Sequence, residues 1–192
     1  MPEHEHASPF RRLRLLTVLA AVAVTVCAAA ADPPDAFAAA CAGANVEPTQ
    51  TTRATVKRAT LCLINAERRE RGLSDLRLDS RLTKAARRHS RDMVRRRYFS
   101  HTTPDGVSFV ERIRRSGYLR TAGRWLVGEN LAWTTRTGNS AADIVRAWMH
   151  SPPHREEILQ GSFRDVGIGI VVGAPSSRSR GATYTTDFGV KR

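Results

Sequence analysis

Two stretches near the C-terminus constrain the fold most: Val166-Gly-Ile-Gly-Ile-Val-Val172 and Ala182-Thr-Tyr-Thr-Thr-Asp-Phe188. Both are short and rich in β-branched and aromatic residues, which predicts a strand in each. The linker from Gly173 to Gly181 is rich in Gly, Pro and Ser, so the pair is expected to form an antiparallel hairpin. Upstream the period changes to that of a helix. Val56, Ala59, Leu63 and Ala66 recur at helical spacing within a helix predicted from Thr55 to Arg71, with Gly72 as its stop. Asp79 or Ser80 can cap a second helix that carries Leu82, Ala86, His89 and Met93 on one face. Further helices are predicted at about 108–116, ending at Gly117, and at about 141–149. Ser151 and Pro152 have the chemistry of a helix start, with Glu156 and Glu157 suited to its positive end. Helices followed by a terminal hairpin predict an α+β layered domain and exclude alternating βαβ units.

The N-terminus reads as an address, not as part of that domain. Arg11, Arg12 and Arg14 precede an apolar run from Leu15 to Ala31, which Asp32-Pro33-Pro34-Asp35 interrupts. Ala36-Phe37-Ala38 has the small-x-small pattern of a cleavage site, so residues 1–38 are expected to be a signal peptide cut near Ala38 to Ala40. The alternative is an uncleaved membrane anchor; the run is short of the roughly 20 residues a spanning helix needs. Residues 39–54 form a polar lead-in with Cys41, expected to be flexible, and residues 55–192 form the domain.

The formal net charge of the chain is +13. Removing residues 1–38 takes away Glu3, Glu5, Asp32 and Asp35 against three arginines, so the exported domain is more basic still. Such a charge attracts anionic lipid, acidic envelope polymer or nucleic acid. The arginines are scattered over helix faces and no RNA- or DNA-binding motif accompanies them, so nucleic acid is not the expected partner. Cys27 leaves with the signal segment. Cys41 and Cys62 remain as an even pair bound for an oxidising compartment, where a disulfide is expected and two free thiols are the alternative.

Three places could carry chemistry. His101 sits in the turn-rich loop Tyr98 to Gly106, where a scaffold can position an accessible side chain. Glu129 and Asn130 interrupt the apolar stretch Trp125 to Trp133, and a carboxylate there must be paired or have a raised pKa. His150, Ser151 and His154 flank two prolines, so the four-residue spacing of the histidines does not place them on one helical face. His89, on an apolar face, reads as a core histidine satisfied by hydrogen bonds. On spacing alone, His101, Glu129 and His154 could be a structural cluster, a metal site or an acid–base pair. There is no nucleophile elbow and no phosphate loop, and pairing of both remaining cysteines leaves no catalytic thiol.

Seven stretches in order resemble the CAP superfamily (cysteine-rich secretory, antigen 5 and pathogenesis-related 1 proteins) in its bacterial SCP-like extracellular form. They are Leu63 to Arg68 with Gly72-Leu73, Ala85 to Ser90, Phe99-Ser-His101 with Pro104 to Gly106, Gly128 to Ala132, Trp148 to Leu159, Val166 to Gly169, and Tyr184 to Gly189. The resemblance implies an α–β–α sandwich with a small antiparallel sheet between helical layers. It also implies a cleft lined by two histidines and two acids that can hold zinc or another divalent cation. His101, Glu129 and His154 match three of the four; the fourth position falls on Ser151, a departure from the family pattern, so the ion would be held by three residues with water in the open position, or with His150 as a substitute. Ser151, His150 and Asn130 are therefore expected to line the cleft. The family has no single activity. The expected function is a secreted, monomeric, non-enzymatic binding protein for lipid, glycan or anionic envelope polymer, with a metal-dependent hydrolase and a structural or stress protein as alternatives.

Overall fold

The computed structural model describes residues 40–135, 138–176 and 181–192. The expected signal peptide and its cleavage site at Ala38, and part of the hairpin linker, lie outside the described residues. The elements run in the order α1 (Arg53–Glu70), β1 (Arg77–Leu78), α2 (Ser80–Arg96), α3 (Phe109–Ser116), β2 (Trp125–Trp133), α4 (Ala141–His150), α5 (Pro152–Leu159), β3 (Asp165–Val172) and β4 (Ala182–Lys191).

Local chemistry sets most helix ends. Asp79 Oδ1 accepts from the Arg81 and Leu82 amides at 2.8 and 2.9 Å and starts α2. Ser108 Oγ caps α3, which ends at Gly117 with φ 90°, in the left-handed region where a side chain is disfavoured. Ser140 and Asp143 form a reciprocal capping box on α4. Ser151 departs from expectation. Pro152 does open α5, but the Ser151 hydroxyl makes no cap bond.

The strands form one sheet in the order β1-β3-β4-β2. The hairpin β3–β4 is antiparallel as expected, and β2 adds to β4 antiparallel, whereas the two-residue β1 pairs parallel with β3. The sheet is therefore mixed, antiparallel over its three long strands. β2 was visible in the sequence only as an apolar stretch. Its strand character comes from pairing with β4, to which it is far distant along the chain.

Alternation along β3 separates the two faces of the sheet. Val166, Ile168 and Ile170 join Phe188 and Tyr184 in a core with Val56, Leu63, Ile64, Ile144 and Trp148 from α1 and α4. Gly167 and Gly169 face the other way, and a Cβ on either would overlap the backbone of α2 at Leu82–Thr83 or Ala86–Arg87. The helix therefore lies directly on the sheet, and Ser90 on α2 bonds Gly169 O and Thr185 Oγ1 across that contact. A second cluster, Leu82, Ala85, Ile113, Tyr118 and Leu119, completes the α2–α3 layer. The result is an α–β–α sandwich.

Two polar anchors secure the first layer. Arg68, fully buried, donates to the carbonyls of Ser74, Ile158, Gln160 and Phe163. Cys41 and Cys62 form the disulfide. The lead-in expected to be flexible is held at its start: Cys41 and Ala44 are buried in the core, and the Ala142 amide donates to Ala44 O at 3.0 Å.

Candidate functional site

The loop leaving α2 and the middle of β2 bring His101 and Glu129 together. His101 Nδ1 and Glu129 Oε1 are 2.8 Å apart; the Glu129 side chain is 0% exposed and that of His101 53%. A carboxylate accepts only, so the proton of this bond sits on Nδ1. The second carboxylate oxygen, Oε2, lies 2.5 Å from Arg112 Nη2, and the Arg112 side chain is 10% exposed. Arg112 Nη1 also donates to His101 O at 2.7 Å and Val107 O at 3.2 Å. One guanidinium from α3 thus fixes both the histidine loop and the carboxylate that orients its ring. Burial opposes ionisation of Glu129, but the bond to His101 and the charge of Arg112 outweigh it and hold its pKa below the ordinary value.

Behind Glu129 lies a second acid. Strand register places Asp187 of β4 opposite Glu129, where it is buried with no N–H or hydroxyl donor for either oxygen. Burial first, then the charge of the neighbouring Glu129 carboxylate and a hydrogen bond to it, push its pKa well up. The two shifts run in opposite directions and favour the charge on Glu129, beside the Arg112 cation, and the proton on Asp187. Neither Arg112 nor Asp187 had been singled out from the sequence. Arg112 is one arginine among many on helix faces, and Asp187 sits in a strand that reads only as alternating; their roles arise from a helix and a strand meeting β2.

The third expected residue approaches from α5. His154 Nδ1 bonds Ser151 Oγ at 2.8 Å, and Asn130 Nδ2 donates to His154 O at 2.8 Å. That bond explains why Ser151 does not cap α5. Burial, with a smaller effect from His101, lowers the His154 pKa. His101, Glu129, Asn130 and His154 line one cavity of about 400 Å³ with Phe109, Pro153 and Glu157. Glu157 lies over Gly128, where any Cβ would overlap its carboxylate, and its pKa is raised by burial and by Glu156. His150 is not in this cleft. Its Nδ1 is 2.8 Å from Arg146 O, and it lines a separate small cavity with Leu63 and Met149, because the prolines turn the chain between the two histidines. It cannot supply the missing fourth member.

A divalent cation does not fit the donors in this arrangement. Among the described residues no three His, Cys, Asp or Glu side chains are grouped to hold one. Both Glu129 oxygens are engaged, one by a guanidinium whose charge opposes a metal ion in the same place. His89 is the core histidine expected: buried, with Nε2 2.9 Å from Ser100 O, and with its pKa lowered to about 4, chiefly by burial.

Comparison with known proteins bears on the whole arrangement. The family model for the cysteine-rich secretory protein family (CAP) matches residues 61–187. The chain is 35% identical over 137 residues to the uncharacterized protein YkwD of Bacillus subtilis (strain 168), covering 68% of this chain and 50% of that one. It is 30% identical over 116 residues to the uncharacterized membrane protein YlbC of the same organism, covering 60% and 32%. The chain thus spans half or less of these curated relatives. Among solved structures, an extracellular protein containing a SCP domain from Bacillus anthracis str. Ames superposes with a TM-score of 0.55 at 25% identity, covering 76% of this chain and 45% of that one. An outer surface protein from Borrelia burgdorferi shares the fold, with a TM-score of 0.61 at 22% identity over 73% of this chain and 96% of that one. Seven motifs, one layered fold and a family match over most of the domain agree: the chain belongs to the cysteine-rich secretory protein (CAP) family.

Proposed function

We propose that this protein is an extracellular, non-enzymatic binding module whose His101–Glu129–His154 cleft recognises a polar ligand of the cell envelope, a glycan or a lipid headgroup. The observation that carries this reading is the engagement of both Glu129 oxygens by His101 and Arg112. The carboxylate is then neither a free base nor a metal ligand, and its work is to orient His101. What faces the cavity is a recognition surface: two imidazoles, Asn130 and Glu157 beside the apolar faces of Phe109 and Pro153. A metal-dependent hydrolase would need Glu129 released from Arg112. An extracellular setting is supported by the leader-like residues 1–38, by the disulfide and by the extracellular relative from Bacillus anthracis. Among the described residues no helix is long and apolar enough to cross a membrane.

The test is co-sedimentation of the purified domain with insoluble cell-wall polymer and with phospholipid vesicles, at salt from about 0.05 to 0.5 M. Binding through the cleft should persist at high salt and be lost in His101→Ala and His154→Ala. Equal binding by both variants at every salt concentration would overturn the assignment to the cleft. Stoichiometric zinc binding at micromolar concentration, abolished by His101→Ala, would favour the hydrolase instead.

A further inference from the structure

Arg112 borders a second and larger cavity, of about 460 Å³, between α2 and α3. Arg88, Arg91, Arg95 and Arg96 line it from α2, and Arg112 and Arg115 from α3; Thr103, Asp105 and Val107 of the histidine loop close one side. The carboxylates near these arginines are few and already shared. Asp105 takes Arg96, Asp92 lies 3.1 Å from Arg95 and also accepts from Tyr98, and Glu111 is held by Arg114 and Arg115. Arg88 and Arg91 have no carboxylate partner among the described residues. Arg112 adds a deeper donor: its Nε is buried and unbonded in a side chain only 10% exposed. A buried, unsatisfied N–H is costly without an acceptor, and it belongs to a side chain lining the same cavity as two guanidinium groups with no carboxylate partner among the described residues. His89 also lines the cavity and is neutral near pH 7, so it contributes no charge.

We infer that the α2–α3 cavity is an anion site for phosphate esters, with Arg88, Arg91 and the Arg112 Nε as its donors. Phosphate matches the surplus. Its several oxygens accept from guanidinium forks at different angles, and each such charge-assisted bond is about twice as strong as a neutral one. The site is distinct from the His101–His154 cleft and does not depend on the function proposed for it. Arg112 nevertheless touches both, since it holds Glu129 with Nη2 and leaves Nε to the anion.

The probe is inorganic pyrophosphate, titrated into the purified domain by calorimetry at constant ionic strength. Arg88 and Arg91 are exposed on a helix, where alanine is well tolerated, so the double variant Arg88→Ala/Arg91→Ala should fold normally. It should bind pyrophosphate at least about tenfold more weakly, the equivalent of 1.4 kcal/mol. Arg58→Ala/Arg81→Ala, with the same loss of charge elsewhere, should stay within about twofold, as should His101→Ala if the two sites are separate. No binding by the wild-type domain, or equal weakening by the two arginine pairs, would overturn the site. A second arm identifies the source of the phosphate. Vesicles of phosphatidylglycerol captured by wild type, released by pyrophosphate and not captured by Arg88→Ala/Arg91→Ala would identify a lipid headgroup. Pyrophosphate binding without vesicle capture would support the site with a soluble or polymeric phosphate ester.

Discussion

Replacing Arg112 with methionine keeps most of the stem of the side chain and removes the charge that neutralises Glu129. The Glu129 side chain is 0% exposed and faces the buried Asp187 across the strand pair, so water cannot replace the lost cation. Truncating one partner of a buried ion pair costs about 3–5 kcal/mol. The protein has one escape, which is to protonate Glu129. From an ordinary glutamate pKa near 4.3, that costs about 3.7 kcal/mol at pH 7 and about 1 kcal/mol at pH 5. The expected loss is therefore about 4 kcal/mol at pH 7, shrinking by roughly 2–3 kcal/mol at pH 5. The bonds from Arg112 to His101 O and Val107 O add a part that does not vary with pH. Arg112→Met/Glu129→Gln should recover most of the pH-dependent part, because no charge is then stranded. Urea denaturation with the disulfide intact, followed by tryptophan fluorescence at both pH values, measures the wild type and both variants. A loss below about 1 kcal/mol at pH 7, or one that is the same at pH 5, would refute the claim that a buried carboxylate depends on this arginine.

Other expectations follow from the same packing. His89 stays neutral in the fold down to about pH 4, whereas the unfolded chain takes up its proton below about 6.5. Its contribution is therefore intact above pH 6.5 and lost as pH falls toward 4, by about 3 kcal/mol; His89→Gln should flatten that limb of the stability–pH curve. Asp187 has a raised pKa, so its contribution is full below the unfolded value and is lost as pH rises toward the folded one. Asp187→Asn should then be more stable than wild type at pH 7 and lose that advantage near pH 4, as read by thermal melts; a uniform loss at both pH values would contradict a protonated Asp187. Gly169→Ala would put a methyl group into the α2 backbone at Ala86 and Arg87, which should cost at least about 1–3 kcal/mol and perturb the Ser90–Thr185 bond. Unchanged stability in that variant would mean that α2 does not rest on the glycine face.

Legibility in the sequence followed the range of the interaction. The helices, the cap at Asp79 and the β3–β4 hairpin could be read because each depends on residues within a few positions of one another. The Cys41–Cys62 bond was legible from cysteine number and destination, and His89 as a core residue from the face it occupies. His101, Glu129 and His154 stood out because polar groups in loops and apolar stretches need a reason to be there. Tertiary structure alone decided what that reason is. A two-residue strand made the sheet mixed, and the pairing of β2 with β4 set Asp187 behind Glu129. The packing of α3 brought Arg112 to the carboxylate, the Ser151 hydroxyl went to His154 in place of a cap, and a proline turn sent His150 to another cavity. Periodicity reports which face of an element is buried. It carries no information about which distant residue meets that face, and the charge state of a buried acid depends on that partner.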